Sequence, residues 1–243
     1  MKRIANLLLA IVMFFSITII NEQLLINRFV LPLFPDGYIR EHFWIRMHIH
    51  HLNQMLLAVL SVAIILKGKL KDYGLNLLNW NLSKKYILWF FLIYGGFTVI
   101  NLLPNFLEGQ PESPGFSLTT YNIIGWFSFQ ALMSGTSEEI FFRGLLQTFL
   151  NKAWEGSVKI IKISTPKAGI IAAIIFTFAH MEINFTPFIV NYNIPQLVVA
   201  FILGIFYSIA YDRTKSLIAP IITHNYANLI MYFVGYLTIV MFS

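Results

Sequence analysis

TYNIIGWFSFQALMSGTSEEIFFRGLLQTFL, residues 120–150, decides how this chain must be read. Its apolar length exceeds the about 20 residues that a helix needs to cross hydrocarbon, yet Glu138, Glu139 and Arg143 lie in its interior. Comparable apolar stretches occur near 4–25, 44–66, 86–106, 168–190, 194–211 and 216–242. The chain is therefore expected to be an all-α polytopic transmembrane bundle of about seven spans. An eighth crossing would need two spans within 216–243, which is too short to hold both.

With 57% hydrophobic and 12% charged residues among 243, and a mean hydropathy of +0.69, the surface of a soluble globule cannot be kept wet. Lys2 and Arg3 precede an apolar run that lacks a small-residue cleavage site, so a retained helix is expected. The sequence has no cysteine, which excludes disulfides, thiolate ligands and a cysteine nucleophile. The net charge of +6 does not point to nucleic acid here, because its distribution follows the membrane pattern. Residues 1–3, 67–85, 151–167 and 212–215 hold thirteen of the seventeen Lys and Arg, whereas 104–119 and 182–193 hold none. The positive-inside rule then puts the N-terminus in the cytoplasm, with the 21–43 loop, carrying Arg28 and Arg40, agreeing least.

No internal repeat or soluble domain is visible, so residues 1–243 are expected to form a single membrane domain. The 67–85 loop, with the DYGL run at Asp72 to Leu75, reads as a cytoplasmic connection. The 104–119 segment, rich in proline, reads as an ordered turn region on the other side. Basic, isoleucine-rich 155–167 reads equally as an interfacial segment or as a topology-fixing loop.

Nine of the eleven Asp and Glu fall in loops or near span ends; Glu138 and Glu139 do not. Burying adjacent carboxylates is costly unless they are paired or protonated, and such cost marks function. Glu139 and Arg143 are four residues apart on one helical face, so an ion pair is expected. Glu138 points about 100° away and is left for another task. His180 follows Phe176 by one turn, and His224 precedes Asn228 by one turn. Counting about 1.5 Å per residue from the inner boundaries puts Glu138, His180 and Asn228 near 18 Å depth and His224 near 12 Å. A buried network that only holds helices together is the structural alternative. Six such groups in one layer weigh against it.

At these residues the sequence resembles the CPBP family, the CAAX proteases and bacteriocin-processing enzymes also called the Abi family. Three motifs carry the likeness: EExxxR as EEIFFRG from Glu138 to Gly144, FxxxH as FTFAH from Phe176 to His180, and HxxxN as HNYAN from His224 to Asn228. They cover roughly 120–232 in the family's order, with no motif position changed. The resemblance implies a helical membrane bundle in a bacterial plasma membrane, open to the cytoplasmic side, that hydrolyses peptide bonds with a glutamate-activated water and no cofactor. It implies that Glu138 and His180 hold and activate the water, His224 and Asn228 stabilise the oxyanion, and Glu139 and Arg143 support them. The expected partners are the lipid bilayer and a peptide or protein substrate, not nucleic acid. General chemistry agrees, because a carboxylate held out of water is a better base and donors in a low-dielectric cavity stabilise an oxyanion.

Alternatives remain at this stage. Glu138, His180 and His224 make a ligand set suited to hydrolytic zinc, although HExxH is absent. A non-catalytic immunity or scaffold protein, or a transporter using the charges as a relay, is the reading from another class. No GxSxG signature supports a serine nucleophile, and Ser134 and Ser137 read as packing residues. Asp36, Asp72 and Asp212 lie where a two-aspartate mechanism cannot use them. His42, His48, His50 and His51 read as interfacial packing, with outer metal binding as the competitor.

Overall fold

The computed structural model describes residues 2–108, 117–160, 162–185 and 188–242. It is 79% helical, as an all-α membrane protein requires. The longer helices are α1 Lys2–Leu33, α2 Phe43–Ile65, α3 Trp80–Glu108, α4 over 120–151, α5 Lys167–Phe178, α6 Ile194–Thr214 and α7 Ile218–Phe242, with the short helix Tyr38–Glu41 between the first two. Among the described residues three of these, α1, α2 and α6, are long and apolar enough to cross a membrane. α7 has 25 residues, and His224, Asn225 and Asn228 dilute its apolar character.

The structure departs from expectation in several places. α1 continues to Leu33, so 21–33 is helix and not loop. The fifth apolar stretch is helical only over Lys167–Phe178; twelve residues reach about 18 Å, short of the about 30 Å of hydrocarbon. Beyond it lies an antiparallel hairpin, β3 Glu182–Phe185 with β4 Phe188–Asn191. A second hairpin pairs β1 Ser157–Ile160 with β2 Ile163–Pro166, in the segment read equally as interfacial or as a topology-fixing loop. The isoleucines that suggested membrane contact there also favour strands. Of the expected 104–119 turn region, 104–108 ends α3, and 109–116 lie outside the described residues.

The chain forms two compact units, each assembled from separated segments: Met1–Ser16, Ala58–Ser83 and Glu139–Pro220 in the first, and Ile17–Leu57, Lys84–Glu138 and Ile221–Ser243 in the second. In the first unit Phe141, Phe142, Leu145, Leu146 and Leu150 are buried, and Phe14 stacks near Phe141. α5 packs along α6 through small residues. A Cβ on Gly169 would stand 2.8 Å from Ser208 Cβ, and one on Gly204 3.2 Å from Ala173 Cβ, so close backbone approach depends on the missing side chains. The DYGL run is fastened to the turn between α6 and α7. Leu217 N donates to Gly74 O at 3.0 Å, and Asn76 Nδ2 donates to Lys215 O at 2.9 Å. Gly74 sits at φ +88, where a side chain would also meet Tyr211 and Leu217.

In the second unit aromatic rings fill the contacts between α3, α4 and α7. Phe91 stacks on Tyr226 at 4.0 Å, and Trp126 meets Tyr232 edge-on at 5.3 Å. Buried Asn122 donates to the Glu41 and Ser117 carbonyls and accepts from Trp44 Nε1, which ties the start of α4 to that of α2.

Candidate functional site

α4 carries the acidic pair on one α-helical turn, Ser134–Glu139, with wider π-helical stretches before it, Phe129–Met133, and after it, Ile140–Gln147. Each π-turn shifts the facing of everything that follows, and such turns recur at functional positions.

In the second unit Glu138 is 17% exposed and lies between two imidazoles. Its Oε2 stands 3.7 Å from His224 Nε2 and its Oε1 stands 4.0 Å from His51 Nε2. Both distances exceed a direct hydrogen bond, and both can be bridged by one oxygen atom that touches each side. Asn228 Nδ2 donates to Ser134 Oγ at 2.9 Å and keeps a second N–H. Asn225, which the motif reading passed over, accepts from Gly135 N at 2.8 Å and donates to Thr136 Oγ1 at 3.1 Å. These bonds hold α7 against the acidic turn. Gly135 makes the approach feasible, since a Cβ there would meet His224 Cβ at 2.7 Å and the Asn225 backbone nitrogen at 2.8 Å.

In the first unit Glu139 and Arg143 are wholly buried and form the ion pair that their spacing requires, 3.1 Å from Nη1 to Oε1. Arg143 Nη2 also donates to Gly204 O at 3.0 Å. Its guanidinium lies 4.6 Å from the Phe176 ring centre and 5.4 Å from that of Tyr207, so the charge is lodged among aromatic faces. Phe176 meets Arg143 and also the His180 ring, 4.6 Å away at 69°. One side chain thus couples EExxxR to FxxxH within this unit. His180 stands on the turn just beyond the end of α5, where Nδ1 donates to Phe176 O at 2.8 Å. The bond ties the ring to the last turn of α5 and leaves Nε2 of the neutral ring as an acceptor.

The four histidines expected to pack at the outer interface have separate partners. His42 Nδ1 bonds Asn122 Oδ1 at 2.7 Å, and His48 Nδ1 bonds Trp44 O at 2.9 Å. His50 pairs with Glu22, which Arg46 also holds at 2.6 Å. Glu22 is therefore a third carboxylate inside a helix, matched by a cation and not lying near a span end. His51 is 4% exposed and reaches Ser137 and Glu138, so packing at an interface does not describe it. Only its i,i+3 relation to His48 marked it in the sequence, and that relation points to no partner. Among the described residues no group of three His, Asp or Glu side chains is arranged to hold a metal ion.

Residues 120–230 match the family described as type II CAAX prenyl endopeptidase Rce1-like. No curated protein and no solved structure matches the chain. The match spans α4 through most of α7, the helices that carry all three motifs. Residues 120–230 are accordingly a domain of the Rce1-like type II CAAX prenyl endopeptidase family, within the CPBP group.

Proposed function

We propose that this protein is an intramembrane endopeptidase in which Glu138 activates the water that cleaves a peptide bond. The observation that carries the proposal is the company Glu138 keeps. Its neighbour Glu139 is spent on Arg143, whereas Glu138 faces imidazole nitrogens at one-oxygen spacing. A carboxylate placed so is suited to take a proton from water while the remaining hydroxide attacks the carbonyl carbon. The N–H groups of His224 and Asn228 are of the right kind to stabilise the resulting oxyanion. Collapse breaks the C–N bond, and the proton held by Glu138 passes to the leaving amine. His180 receives its water-holding task from the FTFAH motif, and its Nε2 is available as an acceptor. Glu139 and Arg143 hold the first unit's aromatic cluster as a support. The same reading takes the long apolar helices as spans, the N-terminus as cytoplasmic, the cell membrane as the location and the cytoplasmic side as the route for substrate. It requires no cofactor.

The family is described as a CAAX prenyl endopeptidase, and a farnesylated CAAX-type peptide is the probe to begin with. Purified full-length protein in detergent should cleave it, Glu138→Ala should not, and stringent chelation should leave the parent rate unchanged. Loss of activity on chelation with recovery by zinc would favour a zinc-dependent protease over the metal-free reading. Peptides that accumulate uncut in cells carrying Glu138→Ala would identify the natural substrate; an unchanged peptide pool together with proton or solute flux in vesicles would replace the enzyme by a relay.

A further inference from the structure

We propose that His51 is a positioning residue for Glu138: it anchors Oε1 of the carboxylate and leaves Oε2, beside His224, as the oxygen that accepts the proton. The inference rests on the reading of Glu138 as general base. It concerns a residue on α2, outside the three motifs and outside residues 120–230.

His51 Nδ1 lies 2.5 Å from Ser137 Oγ, and Ser137 Oγ lies 3.1 Å from Ser134 O. Ser137 Oγ also lies 3.4 Å from Gln54 Oε1; both oxygens can only accept, so the single hydroxyl hydrogen of Ser137 goes to one of them and His51 Nδ1–H donates to Ser137. In the neutral ring Nε2 then carries a lone pair, 4.0 Å from Glu138 Oε1. A lone pair and a carboxylate do not bond each other, but one water donates a hydrogen to each across that gap. Helix-to-helix fastening needs the Nδ1 bond alone. The second nitrogen has a different use.

The ring cannot turn away from Oε1 freely. Phe129 lies edge-on at 4.9 Å and the His50 ring at 5.0 Å, and His51 is 4% exposed. The titratable groups that surround it are Glu138 and His224, from α4 and α7, and His48 and His50 on its own helix. With Oε1 tied on one side, the carboxylate plane is set and Oε2 is held toward His224. Positioning of this kind matters for rate because a misplacement of about 1 Å costs about 100-fold.

Substitution separates the two nitrogens. His51→Asn keeps a donor near the Nδ1 position and loses Nε2; His51→Gln restores a polar group near Nε2. With the farnesylated CAAX-type peptide, His51→Asn should lower kcat about 10- to 100-fold with KM within about two-fold, and His51→Gln should recover part of the loss. In a Glu138→Gln background His51→Asn should remove nothing further. Nitrogen-15 NMR of histidine-labelled full-length protein in detergent gives a readout that needs no substrate: His51 should carry its proton on Nδ1, and its Nε2 signal should move in Glu138→Gln. A parent rate in His51→Asn, equal losses in the Asn and Gln variants, or an Nε2 signal indifferent to Glu138→Gln overturns the proposal. If Glu138→Gln retains the parent rate, the base assignment itself falls; if Glu138→Gln is inactive while both His51 variants match the parent, only the role of His51 falls. Should His51→Asn fail to fold, the Gln variant and the NMR signal decide.

Discussion

Glu138 and Glu139 share a peptide bond and have opposite surroundings. Glu139 is fully buried against Arg143, and that guanidinium is wrapped by Phe176 and Tyr207 and bonded to the Gly204 carbonyl. Glu138 keeps some exposure and meets histidines at a distance that leaves room for an oxygen atom. A buried carboxylate with a strong cation is a structural element, because removing either partner strands a charge in low dielectric. The contrast teaches that adjacent residues of one acidic motif can meet opposite surroundings, a cation for one and imidazoles for the other.

The largest expected effect comes from replacing the half assigned to chemistry. Glu138→Gln should lower cleavage of the farnesylated probe by about 10²- to 10⁴-fold while the unfolding midpoint stays at the parent value. A variant that instead unfolds early and cleaves normally would invert the roles of the two glutamates. Next comes the structural half: Arg143→Met should destabilise the fold by about 3–5 kcal/mol, read by denaturation in detergent, and Glu139→Gln added to it should restore part of that. A double variant no better than the single one would break the ion-pair account. Gly135→Ala should cost about 1–3 kcal/mol and reduce cleavage too, because its Cβ must push the backbone that bears His224 and Asn225. Gly96→Ala, where nothing stands within 4 Å, is the matched control and should change neither. The smallest effect is expected from Ser134→Ala, which takes away the Asn228 acceptor; it should cost about 0.5–1.5 kcal/mol and lower the rate modestly.

What could be read in advance was local. The Glu139–Arg143 pair follows from i,i+4 spacing on any helix, and three motifs in order locate the Rce1-like domain. Phe176 and His180 were legible as one face, but the end of α5 at Phe178 was not, so the bond from His180 to the Phe176 carbonyl emerged only with the fold. Periodicity also cannot distinguish an apolar strand from a short buried helix, hence the two hairpins in a chain expected to be wholly helical. His51 was hidden for another reason. Its partner Ser137 lies 86 residues away, and no spacing rule reaches that far.

By itself, the sequence determined that the chain belongs in a bilayer, that two carboxylates and an arginine sit inside an apolar stretch, and that one of those carboxylates must pair with the arginine. These conclusions need only the cost of charge in hydrocarbon and the pitch of a helix. Tertiary structure alone decided that Glu138 is flanked by His51 and His224, that Phe176 carries contacts from Arg143 to His180, and that Gly135 admits α7. Each depends on how helices are rotated against one another, and the π-turns around Ser134–Glu139 set that rotation in a way residue spacing does not encode.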